Sequence, residues 1–319
     1  MLAAAIRSAR AAALLLLAGS MLGTLAKAWA GESPPTLDRP WLDDSHEYIS
    51  GTADNLAAWM DSFFGVNRVD EEAPYSTLRL RVEPEWDELD GWDTGLSLRG
   101  KVHLPNLNKR VSLLFSDDDE RTGSDDLLID RQNAPDDIAL QLTAREREND
   151  RIDFKLGLRS TLSPKMSVRY RYQKPLSDTV IGRLSQEAIY RTDDGFASET
   201  RADLDTILGD DKVLQWTNRL RWFEDEPGLG WNTGLSLNRR LSNNRVLGYY
   251  TAISGATEPG YYTRSYGFGL RYRQSILREW LFAELQPSYF WRRDEFEDRR
   301  QGSAAILLRL EAVFTRDWD

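Results

Sequence analysis

The sequence predicts an all-β chain: an antiparallel transmembrane barrel of about fourteen strands over 76–319, behind an N-terminal arm that contains a short amphipathic helix. Three observations predict it. Apolar and charged residues alternate with a period of two in segment after segment from Ser76 to Phe314, a period that strands follow and helices cannot. Charges interrupt every apolar run after the N-terminus, so no spanning helix is available, whereas a spanning strand needs only about ten alternating residues. The chain opens with an export signal. A closed barrel then satisfies its own backbone groups, as the hydrocarbon core demands.

Residues 1–30 read as a signal peptide. Arg7 and Arg10 supply the positive end, Ala11–Ala18 the apolar core, and Ala28-Trp29-Ala30 the small-x-small cleavage form. The apolar stretch is short for a membrane anchor. Cysteine is absent, which excludes a lipoprotein signal, disulfides and thiol chemistry.

Residues 31–75 form an acidic periplasmic arm. Gly31–Trp41 is Pro-rich and irregular. Over Ala53–Phe64, Leu56, Trp59, Met60, Phe63 and Phe64 share one helical face, Thr52 is a cap, and Gly65 ends the helix. Ten acids face two bases, Arg39 and Arg68. The helix packs on the barrel rim, or the acidic arm enters a basic lumen as a plug. Both readings stand at this point.

From Ser76 the candidate strands fall at 76–86, 92–104, 110–116, 138–146, 151–160, 166–174, 183–191, 196–206, 213–223, 231–241, 246–254, 262–273, 280–291 and 302–314. The segments 110–116 and 183–191 are weakly patterned, so twelve strands is the alternative count. Asn149-Asp150, Asp194-Gly195 and Asn243-Asn244 are turn formers. The connectors 175–182 and 192–195 fit poorly with short inward turns and longer outward loops. With both termini periplasmic, the long connector 117–137 faces outward, and so does 292–301. Trp92–Arg99 (WDTGLSLR) echoes Trp231–Asn238 (WNTGLSLN), either a duplicated hairpin or the same strand geometry selected twice.

One face is apolar throughout: Leu78, Leu80 and Val82; Leu140 and Leu142; Phe154, Leu156 and Leu158; Val168, Tyr170 and Tyr172; Trp216, Leu220 and Trp222; Tyr266, Phe268 and Leu270; Ile306, Leu308, Leu310, Ala312 and Phe314. Aromatics near strand ends suit the interfacial girdles of a barrel. The other face is the functional candidate. It carries Arg79, Arg81, Arg99, Lys101, Arg169, Arg171, Arg219, Arg221, Arg271 and Arg273, expected to line the lumen and set its selectivity. Arg145, Lys155, Arg159, Arg183, Arg191, Arg201, Arg240 and Arg309 share that face. The opposing acids are Glu83, Glu85, Asp153, Glu187, Glu199, Asp203, Asp205, Glu284 and Glu311. An open lumen of this kind would attract small anions; a closed one would lock its walls with ion pairs.

The chain holds 41 Lys+Arg against 51 Asp+Glu, the wrong balance for a nucleic-acid binder. The acids of 117–137 lack the spacing of an EF-hand loop and read as a solvated loop, with divalent bridging to lipopolysaccharide as the alternative. His46 and His103 are the only histidines. Neither sits in a nucleophile or metal motif, so no catalytic residue, metal or cofactor is expected.

The cleavage form Ala28-Trp29-Ala30, the alternation from Leu78 to Phe314 and the final strand Ala304–Phe314 resemble the bacterial outer-membrane β-barrel class, porins included, over 76–319. Members commonly end on an aromatic read by the insertion machinery; here Thr315–Asp319 follows Phe314 and displaces it, with Trp318 near the end. The resemblance implies the outer membrane of a Gram-negative cell, contact with its lipids and lipopolysaccharide, and the insertion machinery during assembly. The arm 31–75 offers a surface for a periplasmic partner. The leading functional reading is a passive channel for ion transport favouring small anions. A non-conducting structural or assembly barrel is the alternative, and a lipid-modifying enzyme stands third.

Overall fold

A computed structural model describes residues 56, 60, 63, 76–103, 110–117, 138–147, 149–158, 163–293 and 296–316. Fourteen strands follow in chain order: β1 (Ser76–Asp87), β2 (Gly91–His103), β3 (Val111–Asp117), β4 (Ile138–Glu146), β5 (Asp150–Leu158), β6 (Pro164–Ser177), β7 (Val180–Arg191), β8 (Gly195–Ile207), β9 (Lys212–Phe223), β10 (Gly230–Ser242), β11 (Arg245–Ala256), β12 (Tyr262–Ser275), β13 (Leu281–Arg292) and β14 (Gln301–Arg316). Each pairs antiparallel with its sequence neighbours, and β1 pairs with β14, so the ring closes and no edge is left. Both weakly patterned segments are strands, which selects fourteen over twelve.

Outward-facing residues form an apolar belt around the barrel. Leu140, Phe154, Leu156, Met166, Trp216, Leu220, Phe268, Leu285, Ile306, Leu308 and Leu310 are all exposed. A soluble protein would cover so large an apolar surface; here it matches the lipid-facing wall of a transmembrane barrel. Ala312 and Phe314, on the same face, are buried, and the Trp280 ring lies 5.2 Å from that of Phe314. Close approach on the outer wall needs glycine at Gly100: a Cβ there would lie 2.1 Å from the Phe115 ring of β3.

The two ends differ. At the end where β1 starts and β14 stops, β4–β5, β6–β7, β8–β9 and β10–β11 are joined by tight connectors, 243–244 among the shortest, and β2–β3 and β12–β13 by longer ones. At the opposite end β1–β2 and β7–β8 are joined by the short connectors 88–90 and 192–194, and β9–β10 by the longer 224–229. The expected connector 175–182 is mostly strand, because β6 and β7 run on to leave only 178–179 as the turn. Pro175 sits there without breaking the pairing: the register shifts between Pro175 and Ser177, and proline is tolerated at such an irregularity.

A second correction concerns Arg145, expected on the lumenal face. A bulge between Thr143 and Arg145 reverses the parity, so Arg145 opposes Ile152 rather than a lumenal residue. It is exposed and pairs at 2.7 Å with Asp150. The signal peptide, Arg159, His46 and the acidic loop 118–137 lie outside the described residues. So does most of the helix expected over 53–64; Leu56, Met60 and Phe63 are described and have helical backbone.

Candidate functional site

The inward faces of the strands build the site. Strand parity puts Arg79 and Arg81 of β1, Arg99 and Lys101 of β2, Arg169 and Arg171 of β6, Arg219 and Arg221 of β9, and Arg271 and Arg273 of β12 on that face. Arg79, Arg81, Lys101, Arg169, Arg219 and Arg273 are buried, and Arg99, Arg171, Arg221 and Arg271 are partly buried. A guanidinium away from bulk water needs a counter-charge and acceptors. The register supplies them from adjacent strands.

The densest lattice joins β12, β13, β14 and β1. Glu311 Oε1 accepts from Arg79 Nη1 at 2.8 Å and from Arg81 Nε at 3.0 Å, while its Oε2 accepts from Arg273 Nη2 at 2.5 Å. Arg273 Nη1 donates to Glu284 Oε2 at 3.1 Å, and Arg309 Nη1 donates to Glu284 Oε1 at 2.9 Å. Arg309 also donates to Glu83. Arg273 and Glu311 are each 0% exposed. The fork geometry of arginine lets one side chain bridge two carboxylates on neighbouring strands.

Further ion pairs line the wall from β5 to β9. Asp153 of β5 accepts from Arg151 at 3.0 Å, from Thr143 Oγ1 at 2.7 Å and from Arg171. Arg169 reaches Glu187 Oε2 through Nε at 2.8 Å and Nη2 at 2.6 Å. Arg183 pairs with Asp205, and Arg201 with Asp203 at 2.9 Å. Arg221 and Arg219 share Glu199 at 2.7 and 3.7 Å. Arg151 and Lys165 belong to this wall and were not among the sequence candidates. The alternation with Asp153 and with Ser167 on β5 and β6 is the signal that finds them.

Glycine makes room inside the bore. A Cβ at Gly269 would lie 2.4 Å from the Tyr250 ring, and one at Gly267 would lie 2.6 Å from Phe290. Tyr250 and Phe290 thus lie across β12, and Tyr250 Oη accepts from Gln286 Nε2 at 2.9 Å.

The terminal mouth is different in chemistry. Ile207 is the last residue of β8, and Val213, Val246 and Phe282 are the second residues of β9, β11 and β13. All four face inward at the end where β1 starts and β14 stops. Leu56, Met60 and Phe63 are buried in one cluster with Ile207, Val213 and Val246, and Phe282 packs against it. Phe63 meets the Phe282 ring edge-on at 5.4 Å. The Arg273 guanidinium lies 4.5 Å from the Phe282 centroid and 5.9 Å from that of Phe63, within cation–π range. An apolar collar therefore caps the ion-pair lattice, and three side chains of the arm fill it. The spacing i, i+4, i+7 is one helical stripe.

His103 pairs with Ser112 across the β2–β3 ladder. Among the described residues no group of three or more His, Cys, Asp or Glu is placed to hold a metal ion.

No family model matches the chain, and no curated protein does. Solved structures give fold-level similarity. Pseudomonas putida OprB in its low-pH structure is 12% identical, with a TM-score of 0.47 over 81% of this chain and 98% of that one. Pseudomonas aeruginosa OccK11 (OpdR) is 9% identical, with a TM-score of 0.44 over 76% and 96%. Outer-membrane expressed OmpT of Vibrio cholerae is 9% identical, with a TM-score of 0.44 over 75% and 97%. At these scores the fold assignment rests on the closed hydrogen-bonded ring and its apolar belt, and not on the similarities.

Proposed function

We propose that this chain is a porin-like channel of a Gram-negative outer membrane, with a basic lumen that favours small anions and a terminal mouth held shut by its own N-terminal arm. In this reading residues 1–30 are the secretory signal, 31–75 the periplasmic arm, and 76–319 the barrel. The observation that carries it is the seating of Leu56, Met60 and Phe63 among inward-facing Ile207, Val213 and Val246. Burying a large apolar side chain contributes about 1.5–3 kcal/mol, so three of them hold the stripe in place by hydrophobic contact. Charge complementarity between the acidic arm and the lumen adds to that hold.

The arginines of the lumen supply the selectivity. Arg79, Arg81 and Arg273 meet at Glu311, and guanidinium groups gathered on this wall draw anions once water enters. A second reading, a non-conducting structural barrel, has its own support: Arg273, Glu284 and Glu311 are locked together and buried.

Planar-bilayer conductance separates the two. The refolded chain is expected to conduct rarely, and a variant lacking 31–70 to conduct steadily, with a reversal potential in a KCl gradient that reports chloride preference. Silence from both, in barrels shown to be folded, refutes the channel and leaves the structural reading.

A further inference from the structure

We propose that the lumenal mouth at the end opposite the start of β1 carries an oxyanion site on β6 and β7, in which Arg191 takes two oxygens of a carboxylate or phosphate group on one edge of its guanidinium. The proposal rests on the channel reading for access from water, and it adds a ligand class that the ion-paired arginines do not define.

Arg191 is the last residue of β7 and Lys165 the second of β6, so both stand at that end of the barrel. They are register partners, on the inward parity that Arg183 and Glu187 share. Arg191 is 6% exposed and Lys165 8%. Their other neighbours across the ladder are Gly195 on β8 and Gly157 on β5, so neither flanking strand lays a side chain of its own beside the pair. One inward step deeper lie Ile189 and Ala197, both buried. Asp194, in the turn after β7, accepts from Arg191 Nη1 at 3.2 Å. Glu224, from the connector after β9, comes over Gly195 and is held there by the Phe196 amide at 2.8 Å. Among the described residues no ion pair joins Glu224 to Arg191.

Arg191 differs from the other lumenal arginines in which of its nitrogens are engaged. Nη1 is tied to Asp194, whereas Nε and Nη2 are buried and have no hydrogen-bond partner. These two N–H groups lie side by side on one edge of the guanidinium and point the same way, an arrangement that a carboxylate or phosphate meets with two oxygens. Arg169, on the same wall, has that edge filled: its Nε and Nη2 both donate to Glu187, at 2.8 and 2.6 Å. Arg273 also leaves Nε without a partner, but its Nη1 and Nη2 reach Glu284 and Glu311. A buried donor without an acceptor costs stability. At Arg169 the fold removes that cost with its own carboxylate; at Arg191 a ligand's oxyanion does so. Lys165, beside it in the register, adds positive charge at the same mouth. Chloride offers the edge one point rather than two, so the site prefers oxyanions to it.

The test is fluorine NMR of the full chain refolded in uncharged detergent, with trifluoroacetate as the carboxylate probe and monofluorophosphate as the phosphate probe, at an ionic strength held constant with sodium chloride. Each line should broaden in the presence of the barrel, and acetate or phosphate replacing chloride should sharpen it again. Arg191→Lys keeps the charge and loses the paired donors; it should bind weaker by on the order of tenfold. Arg239→Lys, exposed on the outer wall at the other end, should bind like the parent. Broadening of one probe alone supports the site and identifies which oxyanion it takes. No broadening of either line, equal binding by Arg191→Lys, an equal loss in Arg239→Lys, or a line that does not sharpen when acetate or phosphate replaces chloride overturns the site. If gel mobility shows that Arg191→Lys does not fold, the exchange of chloride for acetate or phosphate on the parent decides alone. Bilayer conductance of the chain lacking 31–70 separates this proposal from the channel reading. Binding that depends on Arg191 in a barrel that does not conduct supports the site and refutes only the channel; conductance without such binding overturns the site and leaves the channel standing.

Discussion

Replacing Glu311 by glutamine is the sharpest perturbation of the lumenal lattice. Glu311 is fully buried and carries three guanidinium groups, from Arg79, Arg81 and Arg273. Glutamine keeps the shape but removes the charge, and it puts an amide donor where an acceptor stood. At least one of the three arginines then faces a donor, and all three lose the charge of Glu311, with Glu284 still beside Arg273. Removing one partner of a buried pair costs about 3–5 kcal/mol; water entering the bore lowers that figure, so about 2–4 kcal/mol is expected. Urea unfolding of the refolded barrel in lipid vesicles, followed by tryptophan fluorescence and gel mobility, reads the change as a lower midpoint at unchanged slope. The exposed pair Arg239–Asp211, at 2.8 Å, is the reference: Arg239→Ala should cost no more than about 1 kcal/mol. Adding Arg81→Gln to the Glu311→Gln chain should recover part of the loss, since contacting charges are not additive. A Glu311→Gln barrel as stable as its parent would refute the claim that this lattice is stabilising.

Three other outcomes follow from the geometry. Phe154→Arg, at an outward position that is 44% exposed in the middle of β5, should destabilise the inserted barrel by about 2–4 kcal/mol in vesicle unfolding, with less effect in detergent. Gly269→Ala sets a Cβ against the Tyr250 ring and should cost about 1–3 kcal/mol through overpacking, read by the same urea titration. Phe63→Ala removes the ring between Phe282 and Arg273; a loss of about 3 kcal/mol should raise the open fraction of single channels more than tenfold without changing the urea midpoint of the barrel.

The period of two carried most of the fold. Leu78–Arg79–Leu80–Arg81 already assigns each side chain of β1 to lipid or lumen, because parity admits no third option. The same rule misassigned Arg145, since a bulge adds one residue without any mark in composition, and everything beyond it changes face. It also cut β6 and β7 short, because Pro175 reads as a breaker where the ladder tolerates it. The stripe Leu56, Met60 and Phe63 was legible as one helical face, but its seat was not. Ile207, Val213, Val246 and Phe282 are four apolar residues on an otherwise charged parity. They come from four strands and meet only because each lies next to a turn at the same end. Apolar residues on the lumenal parity at turn-proximal positions are the signal that would have located the collar.

The seat of the arm inside the bore is the central claim, and the absence of cysteine allows it to be tested with two engineered thiols. One chain carries Met60→Cys with Val213→Cys, whose side chain faces the bore. Its comparison carries Met60→Cys with Leu214→Cys, one residue along β9 and facing lipid. Treatment of each folded barrel with a short bifunctional thiol cross-linker, followed by gel mobility, reads the proximity. The account predicts efficient cross-linking to position 213 and little to 214; cross-linking to 214, or to neither in a folded barrel, contradicts it.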